Sequence, residues 1–172
     1  MKHLYLLRHA KSGWDAPELD DFDRPLAPRG VEACAKMTAH LRGANIAPDM
    51  ILCSSAVRTR QTHAGIAKAF PATPEVRFER DLYLASPRTM LAHLCALEGI
   101  TGVMVIAHNP GIQHLAIELA AGSATPHLAD MQQKFPTLGL ACFDIHAATW
   151  SEVAAEVADL RNFVIPRHLK SM

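Results

Sequence analysis

Two histidines and two arginines follow three short apolar runs of the chain. LYLL leads into Arg8 and His9, VMVIA leads into His108, and MILC is followed by SSAV and then by Arg58. A guanidinium binds phosphate oxygens through charge-assisted hydrogen bonds, and a neutral imidazole is a competent nucleophile near neutral pH. A lone histidine at a strand end is usually structural, but four such side chains after three strands predict a site that binds and attacks a phosphate group.

The elements that must position these side chains are strands and helices in alternation. Strands are predicted at His3–Leu7, Met50–Cys53, Glu75–Phe78, Val103–Ala107, Leu138–Ile145 and Ala155–Leu160. Helices are predicted at Pro28–Arg42, Ala56–Phe70, Arg88–Leu97 and Gly111–Ala121, with a short one around Leu128–Lys134. This order is typical of an α/β fold. We expect a three-layer α/β/α sandwich with a mostly parallel central sheet and an antiparallel edge formed by the last two strands.

The carboxyl ends of parallel strands meet at one edge of such a sheet, and ligands bind there. The arginines and histidines are therefore expected to converge. Two helices also begin at this edge, and their free N–H groups favour an anion. Ser54 is expected to cap the helix that carries Arg58. Phosphate is the anion that fits this set of groups best.

Length and composition restrict the kind of protein. The 172 residues are predicted to form a single domain, residues 1–172. The 17 Lys and Arg residues balance 17 Asp and Glu residues, which argues against nucleic acid or an anionic membrane as a partner. The first residues do not resemble a secretion signal, and no apolar run is long enough to cross a bilayer. The protein is expected to be cytoplasmic, with its four cysteines reduced.

The segments LYLLRHAKS, SSAVRTRQT and VIAHNPG resemble, in matching order, the motifs of the histidine phosphatase superfamily, which has the phosphoglycerate mutase-like fold. The short members of the SixA phosphohistidine phosphatase type are most similar. The resemblance covers about residues 2–119. It implies that His9 is the nucleophile that becomes phosphorylated, and that Arg8, Arg58 and His108 surround the phosphate oxygens. It implies no metal and no other cofactor.

Two departures bear on the chemistry. The superfamily motif usually has glycine after the histidine, where this chain has Ala10. The larger mutases use a glutamate as general acid, and here Asp81 is the candidate proton donor, with Glu79 as a weaker one; a surface or capping role for Asp81 is an equally good interpretation. Weaker candidates for phosphate or substrate contacts are Asn109, Ser12, Lys11 and Arg24.

The predicted activity is hydrolysis of a phosphate monoester or phosphoramidate through a phosphohistidine intermediate. Without a clear acid, an easily leaving imidazole is a better substrate group than an alkoxide, so a protein phosphohistidine phosphatase is the first hypothesis. The substrate would be a phosphorylated protein or a small phosphorylated molecule. The alternatives are a small-molecule phosphomonoesterase or mutase of the same superfamily, and a non-catalytic module that binds phosphate or phosphoproteins.

Two other enzyme classes fit the residues less well. A cysteine-dependent phosphatase would pair Cys53 with Arg58, but CSSAVR has four intervening residues and no glycine, whereas such enzymes use five in a glycine-containing loop. A metal hydrolase could draw on 10 histidines, but none has HExxH or HxH spacing. The acidic run at Asp20, Asp21 and Asp23 is interpreted as a solvated loop, or as one that orients a cationic partner.

Overall fold

The computed structural model describes residues 1–169 and contains one six-stranded sheet in the order β3-β2-β4-β1-β5-β6. The first four strands are parallel to one another, while β5 runs antiparallel to β1 and to β6. The strands are β1 Lys2–Arg8, β2 Met50–Ser54, β3 Glu75–Glu79, β4 Gly102–Ala107, β5 Leu140–Ile145 and β6 Ala158–Val164.

Helices cover both faces of this sheet. They are α1 Pro28–Gly43, α2 Val57–Ile66, α3 Pro87–Cys95, α4 Gly111–Leu119 and α5 His127–Gln133. Helices α1 and α2 pack on one face, and α3, α4 and α5 pack on the other. The predicted three-layer α/β/α sandwich with an antiparallel edge is therefore confirmed.

Side chains of the central strands alternate between two hydrophobic cores. Along β1, Leu4 and Leu6 face the core under α3, α4 and α5, while Leu7 faces the core under α1 and α2. Strand β4 is buried along its whole length and divides its side chains in the same way. A strand buried on both faces is apolar throughout. The change to Arg8 and His9 thus marks the point where β1 leaves the core.

Several predicted boundaries were wrong; α3 and α4, for example, each end two residues earlier than predicted, at Cys95 and Leu119. Strand β5 begins at Leu140, because the Leu138 amide donates instead to the carbonyls of Arg8 and His9 at a positive φ of 59°. Helix α2 ends at Ile66 and continues as a 3₁₀ turn. Strand β6 runs over Ala158–Val164, after another 3₁₀ turn at Ala155–Val157. Among residues 1–169, no helix is long and apolar enough to cross a membrane.

Candidate active site

A pocket of about 400 Å³ opens at the carboxyl edge of the parallel strands. The four residues predicted from the strand ends, Arg8, His9, Arg58 and His108, all line it. The weaker candidates Lys11, Ser12, Arg24 and Asn109 line it too. Residues from β1, α2 and the segment after β4 therefore meet because their elements are neighbours in the sheet and beside it.

His9 is 6% exposed and directs one ring nitrogen toward the backbone. Its Nδ1 lies 2.7 Å from the Ala10 carbonyl oxygen, so Nδ1–H donates there and Nε2 keeps its lone pair. The Nε–H group of Arg58 approaches that Nε2 at 3.4 Å. Burial, together with the charges of Arg58, Arg8 and Arg24, lowers the pKa of His9 to about 3. The imidazole is thus neutral, with an unprotonated Nε2 that accepts the long hydrogen bond from Arg58.

The backbone after His9 is held by α2. The Ala10 amide donates to Thr62 Oγ1 at 2.9 Å, and the Thr62 hydroxyl donates to the Arg58 carbonyl at 2.7 Å. Ala10 is fully buried. The alanine that replaces the usual glycine therefore fits in the core and leaves its amide bonded.

His108 contacts a serine that was predicted to have another task. Its Nε2 lies 2.7 Å from Ser54 Oγ. Ser54 is the last residue of β2, and the N-cap of α2 is Ala56, which has no side-chain cap. The predicted cap at Ser54 is therefore wrong. Strand β2 continues through this residue, and its hydroxyl is hydrogen-bonded to His108 after the neighbouring strand β4.

The protonation of His108 follows from its surroundings. The Ala56 amide donates to Ser54 Oγ at 3.4 Å, and His108 Nε2 is the acceptor within reach of the Ser54 hydroxyl proton. When Nε2 accepts that proton, the proton of the neutral ring lies on Nδ1, a buried atom without a hydrogen-bond partner among residues 1–169. Burial and the neighbouring His9 lower the pKa of His108 to about 3. His108 is thus a neutral donor in the pocket wall.

Arg58 is 2% exposed and extends from the first turn of α2. Its guanidinium donates to the Asp21 carboxylate at 3.0 Å and also to the Asp21 carbonyl oxygen. The ring of Tyr83 lies 5.7 Å away, from its centroid to the guanidinium carbon. These contacts fix the position of the cation beside His9.

Asp21 is a site residue that the sequence reasoning missed. Its carboxylate accepts hydrogen bonds from Arg58, Arg24 and the Tyr83 hydroxyl. The Tyr83 bond, with help from both arginines, lowers the pKa of Asp21 to about 2. The acidic loop is thus folded onto the pocket, and the available signal was its Asp-rich sequence soon after Arg8 and His9.

Arg24 links the same loop to the segment after His9. One guanidinium nitrogen donates to Ser12 Oγ at 2.8 Å and to the Gly13 carbonyl at 3.0 Å. The exposed Trp14 ring stacks on the guanidinium carbon at 3.6 Å. Arg24 and Ser12 are both buried. The structure therefore places Arg24 in the pocket and, through its bond to Asp21, also pairs it with the acidic run.

Two polar side chains keep unused hydrogen-bonding atoms in the pocket wall. Arg8 donates to the Phe135 carbonyl at 2.8 Å, and the Asn109 amide donates to the same oxygen at 3.2 Å. Arg8 Nε and Asn109 Oδ1 are buried and have no partner within residues 1–169. Buried polar atoms are rarely left unpaired. A bound phosphate group would supply an acceptor for the Arg8 donor.

The two candidate proton donors lie elsewhere. Asp81 pairs with His93 at 3.0 Å and is mostly exposed, and it does not line the pocket. Glu79 ends β3 and is absent from the pocket wall as well. The short 3₁₀ turn at Arg80–Leu82 brings Tyr83, rather than Asp81, to the Asp21 side of the site.

Cys53 has none of the properties of a nucleophile. It is fully buried in the core under α1 and α2, and burial raises its pKa to about 12. All four cysteines are unpaired thiols. Among residues 1–169, no three His, Cys, Asp or Glu side chains group closely enough to hold a metal ion.

This fold, with a neutral histidine enclosed by arginines at the carboxyl edge of the sheet, is that of an enzyme that acts on phosphate groups. The chain belongs to the histidine phosphatase superfamily (branch 1), whose family model matches residues 4–82. It is a hydrolase that acts on phosphate groups.

Relatives and solved structures support this assignment. An uncharacterized protein of Mycobacterium tuberculosis is 37% identical over 165 residues, which is 94% of this chain and all of that protein. Phosphohistidine phosphatase SixA of Escherichia coli is 31% identical over 131 residues, 72% of this chain and 77% of its own length. A solved structure from Nakamurella multipartitia, described as a candidate SixA phosphohistidine phosphatase, superposes with a TM-score of 0.84 at 29% identity, with 96% of each chain covered.

Proposed function

We propose that this chain is a protein phosphohistidine phosphatase in which His9 accepts the phosphoryl group. The similarity to SixA proteins supports this substrate class, and the pocket supplies the groups that the reaction needs. The reaction has two steps, and both place the phosphorus atom in front of His9 Nε2.

In the first step, the Nε2 lone pair attacks phosphorus and the P–N bond of the substrate breaks. The electron pair of that bond stays on the leaving imidazole, which leaves as a neutral ring when its other nitrogen already carries a proton. In the second step, water attacks the phosphoryl group on His9 and the new P–N bond breaks. Inorganic phosphate is released and neutral His9 is regenerated.

Charge in the transition state spreads over the three phosphoryl oxygens. Arg8 and Arg58 neutralise it, and the Nδ1–H group of His108 donates to it. The bond from His9 Nδ1–H to the Ala10 carbonyl keeps Nε2 directed at phosphorus throughout. Preorganised donors of this kind contribute the largest single share of many rate enhancements. These cationic side chains supply the charge neutralisation that a metal ion supplies in other phosphoryl-transfer enzymes. We therefore expect turnover to persist in EDTA.

One observation carries the choice of leaving group. In the described part of the chain, the carboxyl group that lines the pocket is Asp21, and its pKa is about 2. A carboxylate that is ionised at neutral pH cannot protonate an alkoxide. Phosphate esters need such a proton, whereas a phosphorylated imidazole brings its own. The site therefore favours a phosphoramidate over an ester.

The rim of the pocket fits a side chain presented by a protein. Trp14 is 70% exposed and Leu84 is 53% exposed, and both line the opening. The segment between β3 and β4 is occupied by α3, whose Met90 and Leu94 are buried in the core, so it does not form a lid. An open, partly apolar rim accommodates an imidazole that is still attached to a polypeptide.

A substrate panel tests this function. Wild type and His9→Ala would be assayed side by side with a phosphohistidine peptide, p-nitrophenyl phosphate and a phosphosugar. We expect kcat/KM to be highest for the phosphohistidine peptide, and a radioactive phosphoryl group to be trapped on His9 after acid-free quenching. Brisk hydrolysis of the phosphosugar with no turnover of phosphohistidine would overturn the proposal.

A further inference from the structure

A second depression, of about 420 Å³, adjoins the pocket that Arg8, His9, Arg58 and His108 line, here called the phosphate pocket. The two share Arg8, Lys11 and Thr137 in their walls. The second depression adds Arg29 from the first turn of α1 and Lys134 from the segment after α5. We call the surface formed by Arg8, Lys11, Arg29 and Lys134 the basic groove.

The charge of the basic groove is of one sign. Its wall contains four cations and no carboxylate among residues 1–169. Over the same residues, Lys11, Arg29 and Lys134 form no ion pair with an acidic side chain. The phosphate pocket differs, because Asp21 lies among its arginines. Cations without internal partners attract an external anion.

The walls of the basic groove are held by backbone contacts. On one side, the Ala27 amide donates to the Lys11 carbonyl at 2.9 Å. Gly30 allows α1 to approach that carbonyl, because a Cβ atom there would lie 2.2 Å from the Lys11 oxygen. On the other side, the Leu138 amide donates to the carbonyls of Arg8 and His9, at 3.1 and 3.0 Å. The basic groove is thus formed before substrate arrives, which lowers the entropic cost of binding.

A third depression, of about 500 Å³, continues from the basic groove and shares Lys134, Pro136, Thr137 and Pro166 with it. The three depressions adjoin one another, and Thr137 lines all of them. A small phosphate ester fills a single pocket of this size. An extended polypeptide, in contrast, occupies a row of adjoining pockets with successive side chains.

We propose that the basic groove binds carboxylate side chains of the polypeptide that carries the phosphorylated residue. This inference rests on the proposed function and names a determinant of its substrate choice. With the phosphoryl group at His9, acidic residues a few positions away in the substrate reach Arg29 and Lys134. The occupant is an acidic peptide segment, because the wall of the basic groove carries four cations and no carboxylate among residues 1–169. The third depression beyond it adds one charge of each sign, Arg167 and Asp130.

Charge reversal tests this inference against a matched control. Arg29→Glu and Lys134→Glu would be compared with Lys36→Glu, which changes an exposed cation of α1 that lines none of the three depressions. Two phosphohistidine peptides would be used, one with aspartates beside the phosphorylated residue and one with asparagines. The measured quantity is the ratio of their kcat/KM values, in which any general loss of activity cancels.

We expect each groove variant to lower this acidic-to-neutral ratio about tenfold, and Lys36→Glu to leave it within about twofold. Arg29→Gln and Lys134→Gln should lower it about threefold, and they replace any reversal variant that does not fold. An unchanged ratio in the groove variants, or an equal change in Lys36→Glu, would overturn the inference. The inference would also be overturned if the groove variants lowered kcat/KM for a small bisphosphate ester but left the ratio for the two peptides unchanged.

A second measurement separates this inference from the proposed function. If wild type hydrolyses p-nitrophenyl phosphate but neither phosphohistidine peptide, the proposed function fails. The basic groove is then judged by fluorescence anisotropy with a labelled, unphosphorylated acidic peptide. Weaker binding to Arg29→Glu than to Lys36→Glu supports the groove, and equal binding refutes it.

Discussion

The phosphate pocket and the basic groove present arginines and lysines in two different ways. In the pocket, Arg58 and Arg24 are 2% and 8% exposed, and both are bonded to Asp21. In the groove, Arg29 and Lys134 are exposed, and neither has an acidic partner among residues 1–169. Both regions are rich in cations, but the pocket pairs its arginines with a carboxylate, whereas the groove leaves Arg29 and Lys134 exposed to solvent.

This difference matches two different tasks. A transition state gains most from charges that do not reorganise, and burial strengthens their effect. A variable polypeptide is recognised better by flexible, solvated cations, each of which contributes little and can follow the position of a carboxylate. Changes in the pocket should therefore alter turnover of every substrate, whereas changes in the groove should alter the choice between substrates.

The largest expected effect is that of His9→Ala. Removing the proposed nucleophile should reduce kcat by at least about 10³-fold on every substrate, because no phosphoenzyme can form at this position. The exposed His114→Ala in α4 serves as control and should retain full turnover. Circular dichroism verifies the fold of both variants. Full survival of activity in His9→Ala would refute the mechanism.

Next in size is the effect of Gly111→Ala, at the start of α4 just after the pocket residues His108 and Asn109. A Cβ atom there would lie 1.8 Å from the Ala85 carbonyl oxygen. We expect the free energy of unfolding to fall by about 3 kcal/mol, because backbone must move on both sides of the contact. The control is Gly43→Ala, where nothing lies within 4 Å of the new atom. Similar unfolding midpoints in urea for the two variants would contradict this packing argument.

The sequence alone was sufficient to predict the pocket residues that directly follow apolar strands. Arg8, His9 and His108 were predictable because β1 and β4 are apolar along their buried cores and polarity begins where the sheet ends. Local patterns also located the helices, to within a few residues at each end. A local pattern, two strand-like segments joined by a turn-like segment, also predicted the antiparallel edge formed by β5 and β6.

Long-range polar contacts were not predictable. Asp21 meets Arg58 across 37 positions and Tyr83 across 62, and no periodicity reports such a pairing. Serine is a residue type that often caps helices, but the Ser54 hydroxyl is hydrogen-bonded to His108, 54 positions away. In both cases the short polar side chain could satisfy a local or a distant partner, and only the packed sheet decides between them.

Asp21→Asn should reduce kcat about tenfold, because Arg58 and Arg24 lose the charge that positions them. The exposed Asp23→Asn in the same turn is the control, and steady-state kinetics with p-nitrophenyl phosphate compare the two. Equal turnover in both variants would contradict a positioning role for Asp21.

The same substitution has a pH signature. The folded pKa of Asp21 is about 2, below its ordinary value of 3.8. Its contribution to stability is therefore complete above about pH 4 and is lost as the pH falls toward 2. Urea denaturation at several pH values should show the difference between wild type and Asp21→Asn shrinking over this window. A difference that stays constant would show that the carboxylate is not stabilised in the folded state.

Ser54→Ala removes the partner of His108 Nε2. We expect a decrease in kcat of about fivefold and a loss of about 1 kcal/mol in unfolding free energy, because a buried nitrogen is left without a hydrogen bond and the ring loses its preferred tautomer. Replacing the neighbouring Cys53 by alanine removes a core thiol and its hydrogen bond to the Ser54 carbonyl oxygen but keeps the Ser54 hydroxyl, so its turnover should equal that of wild type. A loss of activity in Cys53→Ala comparable to that in Ser54→Ala would contradict the assignment of the hydrogen bond.

The smallest expected effect compares the two regions by salt. Exposed charges are screened as the Debye length shortens from about 10 Å at 0.1 M salt to about 3 Å at 1 M, while buried pairs are screened much less. Raising sodium chloride across this range should increase KM for the acidic phosphohistidine peptide about threefold more than for the neutral peptide. In Arg29→Glu that extra salt dependence should disappear, because the groove no longer attracts the carboxylates. An identical salt response for both peptides in wild type would mean that the exposed cations take no part in recognition, and that the buried pocket alone selects the substrate.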